Sequence, residues 1–410
     1  MNRAVYIVSA VRTPIGKFGG GLAELSAADL GVIAVRAAME RAFGRAPAER
    51  ALGSHANGPA WEGPRVDELI FGNARPAGVG PNVSRQIAWR SGLGDDVPAF
   101  TVNMACASGL RAVVLGCQQL RMGEVEIVVA GGAESMSRVP YLVEGRWGFK
   151  IGNQPLVDAM YRDGFFCPMS QMVMGETAEV LASQYKISRE EQDQFALESH
   201  QRAGRATAEC RFQPEIIPVK LKDKMGRATQ LEKDEHVRTD ATLESMSKLP
   251  PVFSKTGSIT AGNSSGLTDA AAAIVLVNED RVRELKLEPL ARIVDATITA
   301  VEPRVMGIAP VPAVRKLEQR TGWKLADYDA VELNEAFAAQ VLACDRELHF
   351  DRERLNPNGG AIALGHPIGC TGARILTSLA HHLRRAGGRR GLATLCVSGG
   401  LGLALAIETT

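Results

Sequence analysis

The stretch PAFTVNMACASGLRAVVLGCQQLRMGEVEIVVAGGAE, residues 98–134, decides the fold. Residues 100–102 end an extended apolar segment, and residues 127–130 form a second apolar run that stops at Gly131 and Gly132. Between them the apolar residues recur at helical spacing, namely Leu110, Val113, Val114, Cys117 and Leu120. The order strand, tight turn, helix, strand is typical of an α/β protein.

Cys106 lies in the predicted turn between the first strand and the helix. Its neighbours are the small residues Ala105, Ala107, Ser108 and Gly109, which leave room for a substrate to reach the sulfur. The free N–H groups and the positive end of the following helix favour a thiolate at this position. Most single cysteines are inert core residues. The pattern therefore allows two interpretations of Cys106, as a catalytic nucleophile or as a buried core residue.

A second segment resembles the first. CASGLRAVVLGCQQLRMGEVEIVVAGG, residues 106–132, and CTGARILTSLAHHLRRAGGRRGLATLCVSGG, residues 370–400, share a cysteine with small residues, a helix and an apolar strand that ends in paired glycines. Such a repeat predicts two similar halves that face one another. Strands that alternate with helices predict largely parallel sheets, with the active site at the carboxyl ends of the strands.

The remaining segments are less regular. Residues 44–65 are predicted to be mostly a surface loop, and residues 269–277 a small-residue helix followed by a strand. Residues 135–265 carry many methionines and turns and are predicted to be an insertion that covers a site. Within it, Ser188 and Glu191 form a capping-box pattern at the start of a helix.

Composition excludes several classes of protein. The chain has 410 residues, with 47 basic and 46 acidic side chains and a net charge of +1, so it has no electrostatic character of a nucleic-acid or membrane-surface binder. Its seven cysteines are widely spaced and contain no CxxC pair, which predicts reduced thiols, no metal site and a cytoplasmic location. No apolar run approaches the length of a membrane span.

Three further side chains lie where a strand ends or beside the start of a helix. Cys396 ends an apolar strand, and the residues leave open whether it is reactive or a core cysteine. His366 lies in a glycine-rich loop that permits close approach of another group, which favours a function. Asn334 follows a strand, and from the residues alone it is interpreted as the cap of the next helix.

Taken together, these motifs resemble the thiolases. The resemblance covers nearly the whole chain and depends on several motifs in the family's order: residues 9–16, 103–109, 131–136, 174–179, 261–266, 334–337, 365–369 and Cys396 before a glycine run. It implies a five-layered α-β-α-β-α fold of two similar βαβαβαββ halves with an inserted loop domain. The corresponding domains are residues 1–136, continuing in 267–288, for the N-terminal half, 137–266 for an inserted CoA-binding loop domain, and 289–410 for the C-terminal half.

The resemblance also implies acyl transfer between a cysteine thioester and coenzyme A, which is a substrate, so that no cofactor is expected. Cys106 would carry the acyl group, His366 would take the thiol proton, Cys396 would move the α-proton and Asn334 would position a water in an oxyanion hole. Further residues would bind the acyl-CoA, with the adenine nucleotide near Arg238, the pantetheine near Ser265, and the acyl end near Met174, Met306 and Phe337. A homodimer or homotetramer is expected.

Two positions depart from the family pattern. Ser398 stands where many thiolases have the first glycine of a Cys-x-Gly-Gly-Gly motif, and Val173 stands where acetoacetyl-forming members usually have histidine. Serine at position 398 keeps the backbone N–H that the family uses in an oxyanion hole. Valine at position 173 argues against strict specificity for short acyl chains. Two alternatives stay open: a condensing enzyme similar to the ketoacyl synthases, and a non-catalytic acyl-CoA or lipid-binding protein on the same scaffold.

Overall fold

The computed structural model describes residues 3–51, 61–222 and 225–410. Residues 52–60, in the middle of the predicted surface loop, lie outside the described residues. The strands, in chain order, are β1 (Val5–Arg12), β2 (Gly16–Lys17), β3 (Glu68–Gly72), β4 (Ala99–Val102), β5 (Ile127–Ser135), β6 (Tyr141–Leu142), β7 (Val157–Asp158), β8 (Phe166–Cys167), β9 (Met172–Val173), β10 (Val219–Lys222), β11 (Ala228–Leu231), β12 (Thr268–Asn278), β13 (Ala291–Ala300), β14 (Ala330–Leu333), β15 (Arg390–Val397) and β16 (Leu401–Glu408).

The α-helices alternate with these strands. In chain order they are α1 (Ala27–Phe43), α2 (Val83–Arg90), α3 (Ser108–Met122), α4 (Met174–Gln184), α5 (Arg189–Ala208), α6 (Leu243–Ser247), α7 (Glu279–Glu284), α8 (Pro310–Thr321), α9 (Ala338–Leu348), α10 (Ala361–Leu364) and α11 (Ile368–Ala386). The predicted capping box is confirmed, because the Ser188 hydroxyl accepts from the backbone N–H of Glu191 while the Glu191 carboxylate accepts from the backbone N–H of Ser188.

Ten of the strands form one continuous sheet in two parts. Its order is β14-β15-β16-β13-β1-β12-β5-β3-β4, with β2 paired to β12. The two parts meet where β1 pairs with β13 over three residues. Helices α1 and α2 cover the outer face of the N-terminal part, α8 and α9 cover the outer face of the C-terminal part, and α3 and α11 pack between them. The five-layered α-β-α-β-α fold is therefore confirmed.

Two predictions about the sheet are wrong. The strands are mostly antiparallel, since among the strands named above only β3–β4, β3–β5 and β14–β15 pair in parallel. Residues 268–278 form strand throughout, without the predicted helix. In β12 the alternate residues Ala271 and Ala273 face the outer helices whereas Ala270 and Ala272 face α3 and α11, so both faces are buried and small side chains let the helix layers approach.

Helices α3 and α11 touch backbone to backbone at their N-terminal ends. A Cβ added to Gly109 would lie 2.9 Å from the Ala373 nitrogen, and one added to Gly372 would overlap the backbone of Leu110. Only glycine permits this approach. Because Cys106 precedes α3 and His366 precedes α11, the contact brings the two predicted catalytic side chains together.

In the described residues of the segment between β5 and β12, no strand joins the large sheet, and six short strands pair as three small hairpins. The segment is anchored by the fully buried Arg12 of β1, whose guanidinium lies 2.6 Å from Glu215 and 2.7 Å from Asp234. Removing one partner of such a buried ion pair costs about 3–5 kcal/mol. The predicted domain boundaries at residues 136, 266 and 288 remain predictions.

Candidate active site

Cys106 is held in a tight turn between β4 and α3. Ala105 has a positive φ of 43°, a conformation that costs a non-glycine residue about 1–2 kcal/mol. The Ser108 hydroxyl stabilises the turn, because it accepts from the Met104 N–H at 2.9 Å and donates to the Ala105 carbonyl at 2.7 Å. The Asn103 side chain accepts a further N–H from Ala105 at 3.0 Å. The turn directs the partly exposed Cys106 into a cavity.

The charge environment of Cys106 contains opposing contributions. Burial raises the pKa of the Cys106 thiol, while the positive charge of Arg75 and the backbone N–H groups of Ser398 and Cys106 lower it. The net shift is upward, so the expected resting thiolate is wrong and the resting group is a thiol. A neighbouring base must therefore take its proton when it reacts.

His366 has the position and protonation of such a base. The Thr371 hydroxyl donates to the Pro367 carbonyl at 3.0 Å, so it accepts from the His366 Nδ1–H at 2.6 Å. This leaves Nε2 with its lone pair free. Burial, together with the charges of Arg374 and Arg75, lowers the pKa of His366 to about 3, so the ring is neutral at ordinary pH. Gly365, with a φ of 105°, has no room for a side chain beside Thr268.

Asn334 lies behind His366. Its Nδ2 is 3.5 Å from the His366 Nε2, and the residue is 1% exposed. Its Oδ1 makes no hydrogen bond within the part of the chain that the structure describes. The interpretation of Asn334 as a helix cap is wrong, because α9 begins at Ala338 with Phe337 as its N-cap residue. The side chain is therefore free to hold a polar group at the ring of His366.

Cys396 is the penultimate residue of β15. It is 1% exposed and pairs with Gly402 of β16. Burial, then the charge of Cys106, raises the pKa of Cys396 well above its ordinary value. After β15 the chain turns through Ser398, Gly399 and Gly400, and this turn directs the Ser398 N–H at the Cys106 sulfur.

One cavity of about 470 Å³ brings most of the predicted residues together. Cys106, His366 and Cys396 all line it. Ser265 and the three residues predicted for the acyl end line it as well, namely Met174, Met306 and Phe337. Val173 is also in its wall. The two cysteines and the imidazole of the predicted site therefore converge on a shared pocket.

Arg238 lines a different, neighbouring cavity of about 250 Å³. Its backbone N–H donates to the Nδ1 of His200 at 3.1 Å, and the His200 ring stacks on His236 at 6.5 Å between centroids. Ala261 lies in the wall of both cavities. The placement allows one long ligand to contact Arg238 and Cys106 at opposite ends.

Sequence reasoning missed three residues of this site. Glu134 is fully buried and accepts from the side chain of Asn73 and from the backbone N–H groups of Ala74, Arg75 and Gly369, at 2.8–3.2 Å. It thereby connects the end of β5 to the loop after β3 and to the start of α11. Thr371 fixes the His366 tautomer, and Arg75 lines the cavity. Glu134 could have been found from the sequence, because it lies within residues 131–136, one of the motifs that carry the family resemblance.

Within residues 3–51, 61–222 and 225–410, no group of three or more His, Cys, Asp or Glu side chains could hold a metal ion. None of the helices in the same ranges is both long enough and apolar enough to cross a bilayer.

Comparison with known proteins identifies relatives over the whole chain. Acetyl-CoA acetyltransferase of Cupriavidus necator is 45% identical over 405 residues, which cover 98% of this chain and 99% of that protein. The probable acetyl-CoA acetyltransferase of Escherichia coli is 46% identical, with 98% of each chain covered. Among solved structures, human mitochondrial 3-ketoacyl-CoA thiolase in complex with CoA has a TM-score of 0.91 and 40% identity, covering 100% of this chain and 98% of that chain.

Two family models divide the chain between them. The model described as "Thiolase, N-terminal domain" matches residues 5–280, and that described as "Thiolase, C-terminal domain" matches residues 287–409. The fold, the cavity and the relatives agree with the resemblance that the motifs carry. The chain belongs to the thiolase family.

Proposed function

We propose that this chain is a CoA-dependent acyltransferase that works through an acyl group bound to Cys106. It would condense two acetyl-CoA molecules to acetoacetyl-CoA, cleave 3-oxoacyl-CoA with free CoA, or do both. The observation that carries the proposal is the convergence of Cys106, His366 and Cys396 on one cavity. Relatives named acetyl-CoA acetyltransferase and 3-ketoacyl-CoA thiolase support the same activity.

In the first step the Cys106 sulfur attacks the thioester carbonyl of an acyl-CoA. The neutral Nε2 of His366 takes the thiol proton and then gives it to the departing CoA sulfur, so one thioester replaces another. The carbonyl oxygen becomes negative in the transition state. The backbone N–H groups of Cys106 and Ser398 face the sulfur and can donate to that oxygen.

In the second step the Cys396 thiol passes its proton to the neutral His366, which later returns it to the departing Cys106 sulfur. The Cys396 thiolate formed in this way removes a proton from the α-carbon of a second acyl-CoA. The raised pKa of Cys396 makes its thiolate a strong base, which suits a weakly acidic C–H group. The resulting carbanion attacks the acyl carbon on Cys106, a C–C bond forms, and the Cys106 thiolate leaves. The neighbouring Asn334 and His366 would hold the enolate oxygen, in part through a water on Asn334.

Binding of the acyl-CoA is assigned to both cavities. Arg238 would contact the adenine nucleotide in the smaller cavity, and Ser265 would contact the pantetheine arm in the larger one. Met174, Met306 and Phe337 would surround the acyl end. CoA is then a substrate or product, and the scheme requires no separate cofactor.

The two alternatives fit the site less well. A ketoacyl-synthase-like enzyme obtains its carbanion by decarboxylation and needs no base at the position of Cys396. A non-catalytic binder needs neither a neutral imidazole nor two cysteines at the same cavity. Val173 is buried in the cavity wall, at the position where acetoacetyl-forming thiolases usually have histidine. This difference favours substrates with acyl chains longer than acetoacetyl.

We further propose a homodimer or homotetramer in the cytoplasm. The segment 138–165 supports the assembly, because it exposes large apolar side chains such as Trp147, which is 95% exposed, together with Phe149 and Ile151. Light scattering at several protein concentrations tests the assembly.

The activity itself is tested by incubation with acetyl-CoA, followed by intact-mass analysis and an assay of acetoacetyl-CoA thiolysis. Wild-type protein is expected to gain one acetyl group and to cleave the substrate. The variant Cys106→Ala should gain no acetyl group and lose at least about 10³-fold in turnover, because it lacks the nucleophile. Cys210→Ala, at an exposed cysteine, is the control and should behave as wild type. Near-normal turnover of Cys106→Ala would refute the mechanism.

A further inference from the structure

Arg75 is a buried arginine in the loop that follows β3. The residue is 5% exposed. One face of its guanidinium lies over the ring of Phe165, 5.6 Å from the centroid. Gly164 packs against the same group, since a Cβ added there would lie 2.5 Å from Nε and 2.6 Å from Nη2. The position of the guanidinium is therefore fixed by its surroundings.

Most of the hydrogen-bonding capacity of Arg75 is unused. Nη1 donates to the carbonyl of the adjacent Ala74 at 3.0 Å, whereas the buried Nε has no partner among the described residues. Within the same residues no carboxylate lies within 4 Å of the guanidinium. The positive charge of Arg75 acts to lower the pKa of the buried Glu134, but the four N–H donors described above already occupy the carboxylate oxygens of Glu134. A buried cation with free donors is costly unless an anion reaches it.

The guanidinium lines the cavity that holds Cys106. Met136, Phe165 and Ile368 are apolar residues of the same wall, and Tyr161 adds a phenol from the segment that contains Phe165. Arg75 is the only cationic side chain among the described residues of the cavity wall, because His366 is neutral. A purely aliphatic acyl chain would leave this cation without a partner, but a chain with an anionic end would supply one.

We propose that Arg75 selects acyl chains that end in a carboxylate, so that the preferred substrates are 3-oxo-dicarboxylic acyl-CoA thioesters. The inference rests on the proposed function and specifies its substrate class. The planar guanidinium pairs with a carboxylate through two parallel hydrogen bonds. Thiolysis breaks the C2–C3 bond of such a substrate, and CoA takes up the remaining ω-carboxyacyl group while acetyl-CoA leaves.

A rival role for Arg75 acts only through charge. Its positive charge acts to lower the pKa of the Cys106 thiol, which would assist attack on every thioester alike. The two roles differ in one measurable respect. A charge effect on Cys106 changes the rate equally for all acyl chains, whereas carboxylate binding changes the ratio between chains with and without a terminal carboxylate.

The test compares two substrates of the same chain length, 3-oxohexanedioyl-CoA and 3-oxohexanoyl-CoA. For the wild-type protein, kcat/KM should be at least about 10-fold higher for the diacid. In Arg75→Met the ratio of kcat/KM for the diacid to kcat/KM for the monoacid should fall by at least about 10-fold, because the carboxylate is then buried without a partner. A loss caused by the missing charge beside Cys106 affects both substrates alike and cancels in this ratio. Arg75→Lys should retain part of the preference. The control is Arg283→Met, on the exposed face of α7, which should leave both values unchanged.

Other outcomes overturn the proposal. A wild-type preference for the monoacid, or no preference, excludes carboxylate selection even if Arg75→Met does not fold. An equal loss for both substrates in Arg75→Met assigns Arg75 to the charge effect on Cys106. If the wild-type protein cleaves neither six-carbon substrate, the inference is overturned, and the proposed function then stands or fails separately on acetylation by acetyl-CoA and thiolysis of acetoacetyl-CoA.

Discussion

Cys106 and Cys396 line the same cavity, but the chain holds them differently. Cys106 belongs to a turn with a strained residue beside it, is partly exposed, and faces two backbone N–H groups. Cys396 lies inside a strand, is fully buried, and has the more strongly raised pKa of the two.

The difference shows how one residue type takes two chemical roles. A nucleophile must be reached by the substrate and must be close to donors that stabilise the developing oxyanion, which the turn at Cys106 provides. A base for a C–H group must be strong and must stay in place, which the burial and strand position of Cys396 provide. The following variants and measurements test this division of roles.

The largest effect is expected for Cys396→Ala. Loss of the base should reduce condensation and thiolysis by at least about 10³-fold, while single-turnover acetylation of Cys106 changes by less than about 3-fold. Exchange of the α-hydrogens of acetyl-CoA with deuterated water should also stop, as measured by mass spectrometry. The exposed Cys210→Ala is again the control. Continued exchange in Cys396→Ala would assign the base to another residue.

The pH profile tests the assignment of His366 as a neutral base. A histidine with the ordinary pKa of 6.5 would be protonated below that pH, and kcat/KM would fall as the pH decreased. The pKa of His366 is lowered to about 3, so its ring stays neutral and kcat/KM for acetylation should be level between about pH 5 and 8. A fall in kcat/KM below about pH 6.5 that is absent in His366→Asn would contradict the assignment of His366 as a base that stays neutral. Activity remeasured at neutral pH after acid exposure controls for unfolding.

The smallest effect is expected for Ser398→Gly. The donor to the oxyanion is the backbone N–H, which both residues have, so turnover should change by less than about 3-fold. Steady-state kinetics on acetoacetyl-CoA measure this change. A loss of more than about 10-fold would show that the serine side chain itself takes part.

The sequence predicted the site better than it predicted the sheet. Cys106, His366 and Cys396 could be selected from the sequence because each lies next to a local signal: a turn of small residues, a glycine loop or the end of an apolar strand. The structure brings all three to one cavity, and their catalytic roles stay predictions. The alanine run in residues 268–278 gave a helical signal, and tertiary packing between two helix layers overrode it. Whether two strands pair in parallel or antiparallel could not be predicted from local sequence, because the pairing depends on contacts between segments that are far apart in the chain.

Arg75 shows why the rest could not be predicted. Its neighbours in the sequence are a small apolar residue and a proline, which indicate only a loop. The role inferred for Arg75 depends on its contacts with Phe165 and Gly164, which lie about ninety positions further along the chain. It also depends on Glu134, whose carboxylate oxygens already accept hydrogen bonds from other donors. Such information exists only after folding.

The backbone contact between α3 and α11 has a consequence for how variable this site can become. At Gly109 and Gly372 the backbones of the two helices are in direct contact, with no side chain between them. A change of side-chain rotamer therefore cannot alter the distance between the helices. The spacing of Cys106 and His366 is thereby independent of the acyl-binding walls. Pocket residues such as Val173 and Arg75 can be exchanged to admit new acyl chains while the reacting atoms keep their alignment.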